Sequence, residues 1–255
     1  MSKSNILIDS WIMFKRCMLI SSRNPDTIAM SIITPIFVML LFGGVFGNIA
    51  DIEGFNYVDF IVPGIILQSV AQGSQFTALN LSTDMTKGII DRFRSMPIAK
   101  SAVLLGHASA AIVRNIVTTS VTIGAAFLIG FRPQGSFIDW LVIALVLILC
   151  ISAISWIAVL CGLLSKTAEG AGGLMFPLFI LPFVSSGFAP TETMNRWLGW
   201  FANHQPMTPV IDSVRGLMLG FPLGNEVWLA LAWCVGIAIG AFVLAVRIYK
   251  NKLTQ

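Results

Sequence analysis

Charged side chains are scarce in this 255-residue chain. They make up 11% of it, whereas hydrophobic residues make up 56%. A soluble globular chain is about a quarter charged, so this chain cannot cover a water-facing surface with charge. The mean hydropathy of +0.85 points the same way, and we expect lipid to be its solvent. The basic residues form no extended patch with interleaved aromatic residues, so nucleic acid is not an expected partner.

Catalytic and metal-binding patterns are missing too. The sequence has no Gly-Lys dipeptide, which excludes a P-loop for ATP, and its two histidines form no His-Glu-x-x-His motif. The four cysteines form no Cys-x-x-Cys pair and three lie in apolar runs, which favours small buried side chains over disulfides or a metal site. We expect no enzyme activity, no catalytic residue, no metal site and no cofactor bound by this chain.

The N-terminus does not look like a cleavable signal peptide. Residues 6–20 are apolar, but Asp9, Lys15 and Arg16 interrupt the run, and no small-residue cleavage site follows. Several apolar stretches lie further along the chain. Together these features predict a multi-pass protein of the bacterial plasma (inner) membrane that is targeted by internal segments.

Apolar stretches long enough to cross a membrane occur six times, since a span needs about 20 mostly apolar residues. They cover residues 27–46, 58–81, 101–131, 137–164, 170–188 and 227–246. The expected fold class is therefore an all-α integral membrane protein with six transmembrane helices in a single domain, 1–255. Pro177 and Pro182 predict a kink or a break in the fifth span.

The flanking charges predict how these spans are oriented. Twelve Lys and Arg residues flank the spans on one side: Lys3, Lys15, Arg16, Arg23, Lys87, Arg92, Arg94, Lys100, Lys166, Arg247, Lys250 and Lys252. Three lie on the other side: Arg132, Arg196 and Arg215. Because cytoplasmic flanks carry the excess of positive charge, both termini are expected in the cytoplasm.

The segment before the first span, 5–23, has a helical pattern. Its polar residues Asn5, Asp9, Arg16 and Arg23 fall on one narrow stripe, and the rest is largely apolar. This pattern predicts an interfacial helix on the cytoplasmic side, with its apolar side in lipid and its basic residues towards head groups. The alternative is an ordinary lead-in segment without a mechanical role.

A charged segment, DMTKGIIDRFRSMPIAK, separates the second and third spans. Residues 84–97 are predicted to form a short helix that ends at a proline. Its small apolar face would consist of Ile89, Ile90 and Phe93, and its charged rim of Asp91, Arg92 and Arg94. The proline that ends it is Pro97. The alternative is a basic loop that only sets topology. A solvated loop gains nothing from an apolar face, so we favour a helix that a cytoplasmic partner binds.

The segment 190–221 is too polar and too rich in proline to span. One predicted helix, 192–201, carries Trp197 and Phe201 on a common face. A second is expected to start with Thr208 as its cap and Pro209 as its first residue, and to stop at Gly220. Two apolar helices that are too short to cross predict an external re-entrant hairpin, the alternative being an external loop.

Two charged residues of this hairpin, Asp212 and Arg215, are spaced to pair on one helix. Another charge, Arg114, lies deep inside the third span, with Asn115 beside it and His107 two turns away. A charge at this depth must face water or a partner, so these residues are candidates to line an aqueous pathway. An arginine that snorkels towards the cytoplasm is the equal alternative.

The charged segment is similar to the coupling-helix region of ATP-binding-cassette type 2 permeases, particularly the daunorubicin-resistance-like exporters. The matching residues are Asp84, Gly88, Ile89, Ile90, Asp91, Arg92 and Pro97. The fifth span and external hairpin resemble the same family at Phe176, Pro177, Ser186, Gly187, Pro190, Trp197, Pro206, Pro209, Arg215 and Gly220. The chain departs from the family at Asn195, often a proline there, and at Gln205, where asparagine is expected.

The resemblance implies a permease subunit that pairs with a second permease subunit, identical or paralogous, and binds cytoplasmic nucleotide-binding subunits. ATP and magnesium would be held by those subunits. The residues implied in ATPase coupling are Asp84, Gly88, Ile89, Ile90, Asp91, Arg92, Phe93, Arg94 and Pro97. Those implied in an external gate are Trp197, Trp200, Phe201, Asp212 and Arg215, although membrane anchoring explains the three aromatic residues as well.

The expected function is ATP-driven export of a hydrophobic or amphiphilic substrate, such as a drug, a peptide antibiotic or a lipid. Few charges lie in the spans, and the aromatic residues cluster near span ends, which favours such a cargo over a lipid-linked glycopolymer. A secondary carrier working without an ATPase would need intramembrane carboxylates or repeated discontinuous helices. An intramembrane enzyme or a scaffold protein are further alternatives, and export over import rests on the resemblance.

Overall fold

The computed structural model describes residues 5–46, 51–52, 55–88, 99 and 101–254. Among these, nine α-helices account for most of the chain. They are α1 (Ile6–Ser22), α2 (Pro25–Phe46), α3 (Tyr57–Thr86), α4 (Ala102–Ile129), α5 (Phe137–Leu164), α6 (Ala168–Ile180), α7 (Arg196–His204), α8 (Met207–Leu219) and α9 (Glu226–Thr254). Two short antiparallel strands, β1 (Asp51–Ile52) and β2 (Phe55–Asn56), pair before α3.

Side-chain caps explain where several of these helices begin. Ser136 accepts a hydrogen bond from the Asp139 backbone, and the Asp139 carboxylate accepts one from the Ser136 backbone, which forms a capping box before α5. The Thr167 hydroxyl accepts from the Gly170 N–H in front of α6, and Asn5 caps α1. Each cap satisfies a backbone donor that the first helical turn leaves free.

Four helices of the described chain are long and apolar enough to cross a membrane. These are α2, α4, α5 and residues Glu226–Lys252 of α9. They confirm the length and apolar character predicted for 27–46, 101–131, 137–164 and 227–246. The other two predicted spans, 58–81 and 170–188, remain predictions.

The fifth predicted span breaks where its proline pattern indicated. The α-helix ends at Ile180, and the chain continues as a 3-10 turn, Leu181–Val184. Pro182 has no N–H to continue the helical ladder, and its ring would clash with a carbonyl one turn earlier. The continuous helix is therefore shorter than the stretch 170–188 that the apolar pattern predicted.

Helix α3 lies at the centre of the fold, packed against α2, α4, α5, α6 and α8. Its residues Ile61, Ile65, Ile66 and Leu67 are fully buried. Its partner α5 approaches so closely that a Cβ at Gly162 would lie 2.8 Å from the Ala78 carbonyl oxygen. The protein, rather than lipid, therefore surrounds most of this helix, which explains how it can carry polar side chains along its length.

Helix α1 forms as predicted, but Asp9 and Arg16 of its polar stripe contact the protein, whereas Asn5 and Arg23 are exposed. Met13, Cys17 and Ser21 are buried, and α1 packs mainly against α4. Arg16, on the same side, binds a carboxylate of α3. The outward face is apolar, with large exposed side chains at Ile6, Leu7, Ile8, Trp11, Ile12 and Leu19. Arg16 faces inwards because the buried carboxylate of Asp84 on α3 needs a cationic partner.

The predicted external hairpin forms two helices with different boundaries. Helix α7 begins at Arg196, after a 3-10 turn at Thr191–Thr193, rather than at residue 192. Helix α8 begins at Met207, so the predicted cap at Thr208 is wrong, and the Thr208 hydroxyl instead donates to the Ala202 carbonyl at 2.6 Å. The predicted stop is confirmed, because Gly220 adopts a positive φ of 76°.

Candidate functional site at the two ends of helix α3

The C-terminal end of α3 is held by an ion pair. The guanidinium of Arg16, on α1, donates to both oxygens of Asp84, at 2.6 and 2.9 Å. His107 Nε2, on α4, lies 3.3 Å from Asp84 Oδ2. We call Arg16, Asp84 and His107 the inner cluster. It joins α1, α3 and α4 at one carboxylate, and its two-pronged geometry is the strong form of an arginine–carboxylate bond.

The ionisation state of Asp84 follows from these contacts. Asp84 is 6% exposed and lies beyond the predicted span 58–81. Burial raises the pKa of this carboxyl, but the hydrogen bonds from Arg16 and the proximity of the His107 ring outweigh burial and lower the pKa to about 2. Asp84 is therefore a carboxylate at neutral pH, and the hydrogen bond from Arg16 raises the pKa of the guanidinium in turn.

The predicted coupling helix, 84–97, does not begin at Asp84. Helix α3 continues through Asp84 to Thr86, and the turn after it includes Gly88 with a positive φ of 65°. Asp84 thus belongs to α3 and binds Arg16, inside the permease. The other predicted coupling residues lie outside the described part of the chain, so their role stays a prediction: Ile89, Ile90, Asp91, Arg92, Phe93, Arg94 and Pro97.

A second contact joins α1 to the chain beyond those residues. The backbone N–H of Ala99 donates to Asp9 Oδ2 at 2.9 Å. Asp9 lies two helical turns before Arg16 on α1, and hence on the same side of it. Helix α1 therefore contacts the chain at Asp84, the first residue of the predicted coupling segment, and at Ala99, just after that segment.

Two of the pathway candidates, Arg114 and Asn115, donate hydrogen bonds to neighbouring helices, whereas His107 belongs to the inner cluster. Arg114 donates to the Gly73 carbonyl at 2.8 Å, to the Thr77 hydroxyl at 2.7 Å and to the Ser21 hydroxyl at 3.2 Å. Asn115 is buried and donates to the Ser74 hydroxyl at 2.7 Å. These contacts give the buried charge partners within the protein. That Arg114, Asn115 and His107 line a pathway stays a prediction.

The opposite end of α3 is bound by Arg215 of α8, which is 7% exposed. Its Nε donates to the Phe60 carbonyl at 3.1 Å, and Nη2 donates to the Ser186 carbonyl. The guanidinium carbon lies 3.7 Å from the centre of the Phe60 ring. The predicted pair is confirmed, with Arg215 Nη1 3.0 Å from Asp212 Oδ1. We call Phe60, Ser186, Asp212 and Arg215 the outer cluster.

A cavity of about 250 Å³ opens beside the outer cluster. Three carboxylates, Glu192, Asp212 and Glu226, line it together with Arg215. Burial raises the pKa of Asp212, and the two neighbouring glutamates add to that effect, while Ser186 and Arg215 oppose it. The cavity is therefore lined by three acidic side chains and one arginine.

The external gate candidates do not form one group. Asp212 and Arg215 belong to the outer cluster, whereas the aromatic residues Trp197, Trp200 and Phe201 lie on α7 and are exposed. Trp197 is 78% exposed and Trp200 is 65% exposed. Their arrangement is that of an apolar helix face towards lipid or another chain, and the gate role stays a prediction.

Several residues of these clusters could not be found from the sequence. Phe60 and Ser186 accept hydrogen bonds from Arg215 through their backbone carbonyls, and Gly73 accepts one from Arg114 in the same way. A carbonyl contact leaves no trace in residue type. The partner of Asp84 did leave a signal in the sequence, because an acidic residue at the end of a buried helix needs a cation. Arg16 can supply it, since it lies one turn from the buried Met13 on the inner side of α1.

Comparison with known proteins gives consistent matches over most of the chain. A sequence model described as "ABC-2 type transporter" matches residues 9–219. The daunorubicin resistance ABC transporter permease protein DrrB1 of Streptomyces coeruleorubidus is 32% identical over 228 residues, which cover 89% of this chain and 79% of that protein.

More distant relatives cover a similar share. The probable doxorubicin resistance ABC transporter permease protein DrrC of Mycobacterium tuberculosis is 28% identical over 92% of this chain and 85% of its own length. The inner membrane transport permease YadH of Escherichia coli is 26% identical over 88% of this chain and 87% of its own length. The matched region includes both clusters, from Asp9 to Arg215.

Proposed function

The chain belongs to the ABC-2 type transporter family and is a multi-pass membrane permease. On that premise we propose that it is the membrane-spanning subunit of an ATP-driven exporter in the bacterial inner membrane. A separate cytoplasmic subunit binds ATP and magnesium and hydrolyses the nucleotide. Two permease subunits, identical or paralogous, form the translocation unit, and both termini of this chain lie in the cytoplasm.

One observation carries this proposal, namely that α3 joins two clusters at its ends. Its cytoplasmic end is bound by Arg16 next to the predicted coupling segment, and its other end is bound by Arg215 of α8. Phe60 and Asp84 are 24 residues apart in one helix, which is about 36 Å of rise. A displacement of the coupling segment by an ATPase would therefore reach the outer cluster through a single buried helix.

The six-span arrangement completes this picture. We assign the two additional crossings to α3 and to α6 with its 3-10 continuation, Ala168–Val184. Helix α3 is 30 residues long, enough to cross, and its burial among five helices removes the need for an apolar surface. Helix α1 then lies in the cytoplasmic interface, with its exposed apolar face in lipid.

The substrate class is hydrophobic or amphiphilic. An apolar groove of about 160 Å³ lies between α4 and α5, where Thr119 and Ser120 add two hydroxyls to a lining that is otherwise apolar or aromatic. Such a surface suits a molecule that enters from the bilayer and carries a small polar part. Two relatives are named for resistance to daunorubicin and to doxorubicin, and a drug is one of the cargoes proposed for this chain.

Co-purification with a nucleotide-binding subunit tests this function. We expect the ATPase to remain bound to the wild-type permease and to be lost in Phe93→Asp, because a charge would be placed in the predicted apolar docking face. Lys87→Asp is the matched control, because Lys87 is exposed and precedes that face. Vesicles that contain this chain alone and transport cargo without nucleotide hydrolysis would refute the proposal.

A further inference from the structure

Helix α1 contacts the chain on both sides of the docking segment, which is the part of the predicted coupling segment that the ATPase is proposed to bind. On the leading side, Arg16 binds Asp84 at the end of α3. On the trailing side, Asp9 accepts a hydrogen bond from the backbone of Ala99, three residues before α4 begins at Ala102. The contacts join residues that are 68 and 90 positions apart, so they are tertiary rather than local.

The two contacts are set at a fixed distance by α1 itself. Asp9 and Arg16 are seven residues apart, which is about 10 Å along a helix axis and nearly two full turns. Between them, Met13 is buried where α1 crosses α4, and the Gly106 position on α4 has no room for a side chain because a Cβ there would collide with Met13. A rigid helix pressed against α4 therefore separates the two contacts.

His107 extends the same arrangement to α4. It is buried and lies beside Asp84, so one carboxylate meets a cation from α1 and a ring from α4. Releasing Arg16 would leave the carboxylate with less compensation in a buried position, and releasing Asp9 would free the chain just before α4. The ends of α3 and α4 are thus tied to each other through α1 as well as directly.

We propose that Arg16 and Asp9 are positioning residues that make α1 a clamp across the cytoplasmic ends of α3 and α4. The clamp fixes the spacing between the two sides of the docking segment. A push on that segment then moves α1, α3 and α4 together instead of spreading α3 away from α4. This inference rests on the proposed function, since the push comes from the ATPase.

The first experiment measures the spacing without an ATPase. Nitroxide labels at Lys87→Cys and Ser101→Cys report the distance across the segment by pulsed electron paramagnetic resonance in nanodiscs. The native Cys17, Cys150 and Cys234 are buried, so the background needs only Cys161→Ala. We expect a wider distance distribution in Arg16→Gln and in Asp9→Ala than in wild type.

The second experiment measures the number of substrate molecules transported per ATP hydrolysed, in vesicles that hold the complex with its ATPase. We expect Arg16→Gln to lower this ratio by about tenfold, within the range of measured coupling between sites. Asp9→Ala should lower the same ratio less, and Asp9→Asn, which keeps an acceptor oxygen, should retain it. Arg23→Gln removes the same charge from an exposed position next to α1 and is the matched control.

The outcomes separate the clamp from the proposed function. Wider distances together with a lower ratio support the clamp. Distances or ratios that match Arg23→Gln refute it, even where ATP hydrolysis persists. A wild-type complex that hydrolyses no ATP refutes the proposed function itself, and the clamp with it. Asp9→Ala removes a single peripheral hydrogen bond, so it keeps the test valid should Arg16→Gln fail to fold.

Discussion

The inner and outer clusters hold the two ends of the same helix by different chemistry. At the inner end, two separate side chains, Arg16 and Asp84, form one ion pair. At the outer end, Arg215 binds the Phe60 and Ser186 carbonyls as well as Asp212. A substitution of either Arg16 or Asp84 therefore removes the ion pair of the inner cluster. The outer cluster depends mainly on Arg215, because a side-chain substitution does not remove a backbone carbonyl.

The largest effect is expected where one side chain holds several acceptors. Arg215→Leu removes the buried guanidinium that donates to two carbonyls and to Asp212, so we expect the free energy of unfolding to fall by about 3–5 kcal/mol. Thermal unfolding in detergent measures this loss. Arg215→Lys keeps the charge but not the fork, and it should recover part of the stability. A stable Arg215→Leu would show that the outer anchor lies elsewhere.

The inner cluster should give a smaller loss that is shared between two partners. Arg16→Gln and Asp84→Asn are each expected to lower the free energy of unfolding by about 1.5–3 kcal/mol, as for a hydrogen bond to a charged group. The double variant should lose about as much as the worse single variant, because both remove the same interaction. Additive losses in this double-mutant cycle would contradict the pair.

Arg114, which contacts the middle of α3, allows a structural role to be distinguished from a role in the transport pathway. Arg114→Leu removes hydrogen bonds to Gly73, Thr77 and Ser21, so we expect a loss of about 1–3 kcal/mol. Transport per folded complex should stay unchanged, because these contacts tie the side chain to the protein. A folded Arg114→Leu protein that no longer transports would instead establish the pathway role.

The smallest effect is expected at the partly exposed partner of Arg215. Asp212→Asn keeps an oxygen that can accept from Ser186 and Arg215, and the Asp212 side chain is 33% exposed. We expect a change in the free energy of unfolding of about 0–1 kcal/mol, as is typical of exposed pairs. A loss as large as that of Arg215→Leu would mean that the carboxylate, and not the two carbonyls, anchors this end.

The sequence predicted the long apolar helices well, because a run of about 20 apolar residues has few other ways to satisfy its backbone in lipid. It did not predict that α3 is the buried centre, since hydropathy measures apolar content and not which helix lies inside. The α7 start and the Thr208 cap were missed because local pattern competes with tertiary contacts, here the hydrogen bond to Ala202.

The sequence predicted which residues belong to the candidate site better than it predicted which of them contact each other. The i,i+3 spacing of Asp212 and Arg215 was enough to predict their pair, because both lie on one helix. The partner of Asp84 depends on how α1 packs against α3 and α4. No local rule supplies that register, so Arg16 was assigned to head groups instead.

The close crossing of α5 over α3 at Gly162 and Ala78 has a geometric consequence. Ala78 lies 6 residues from Asp84 and 18 residues from Phe60, or about 9 and about 27 Å along the axis. If α3 tilts about this crossing, the parts of the helix on the two sides of the pivot differ in length about threefold. A shift of about 1 Å at the Asp84 end would then become a shift of about 3 Å in the opposite direction at the Phe60 end.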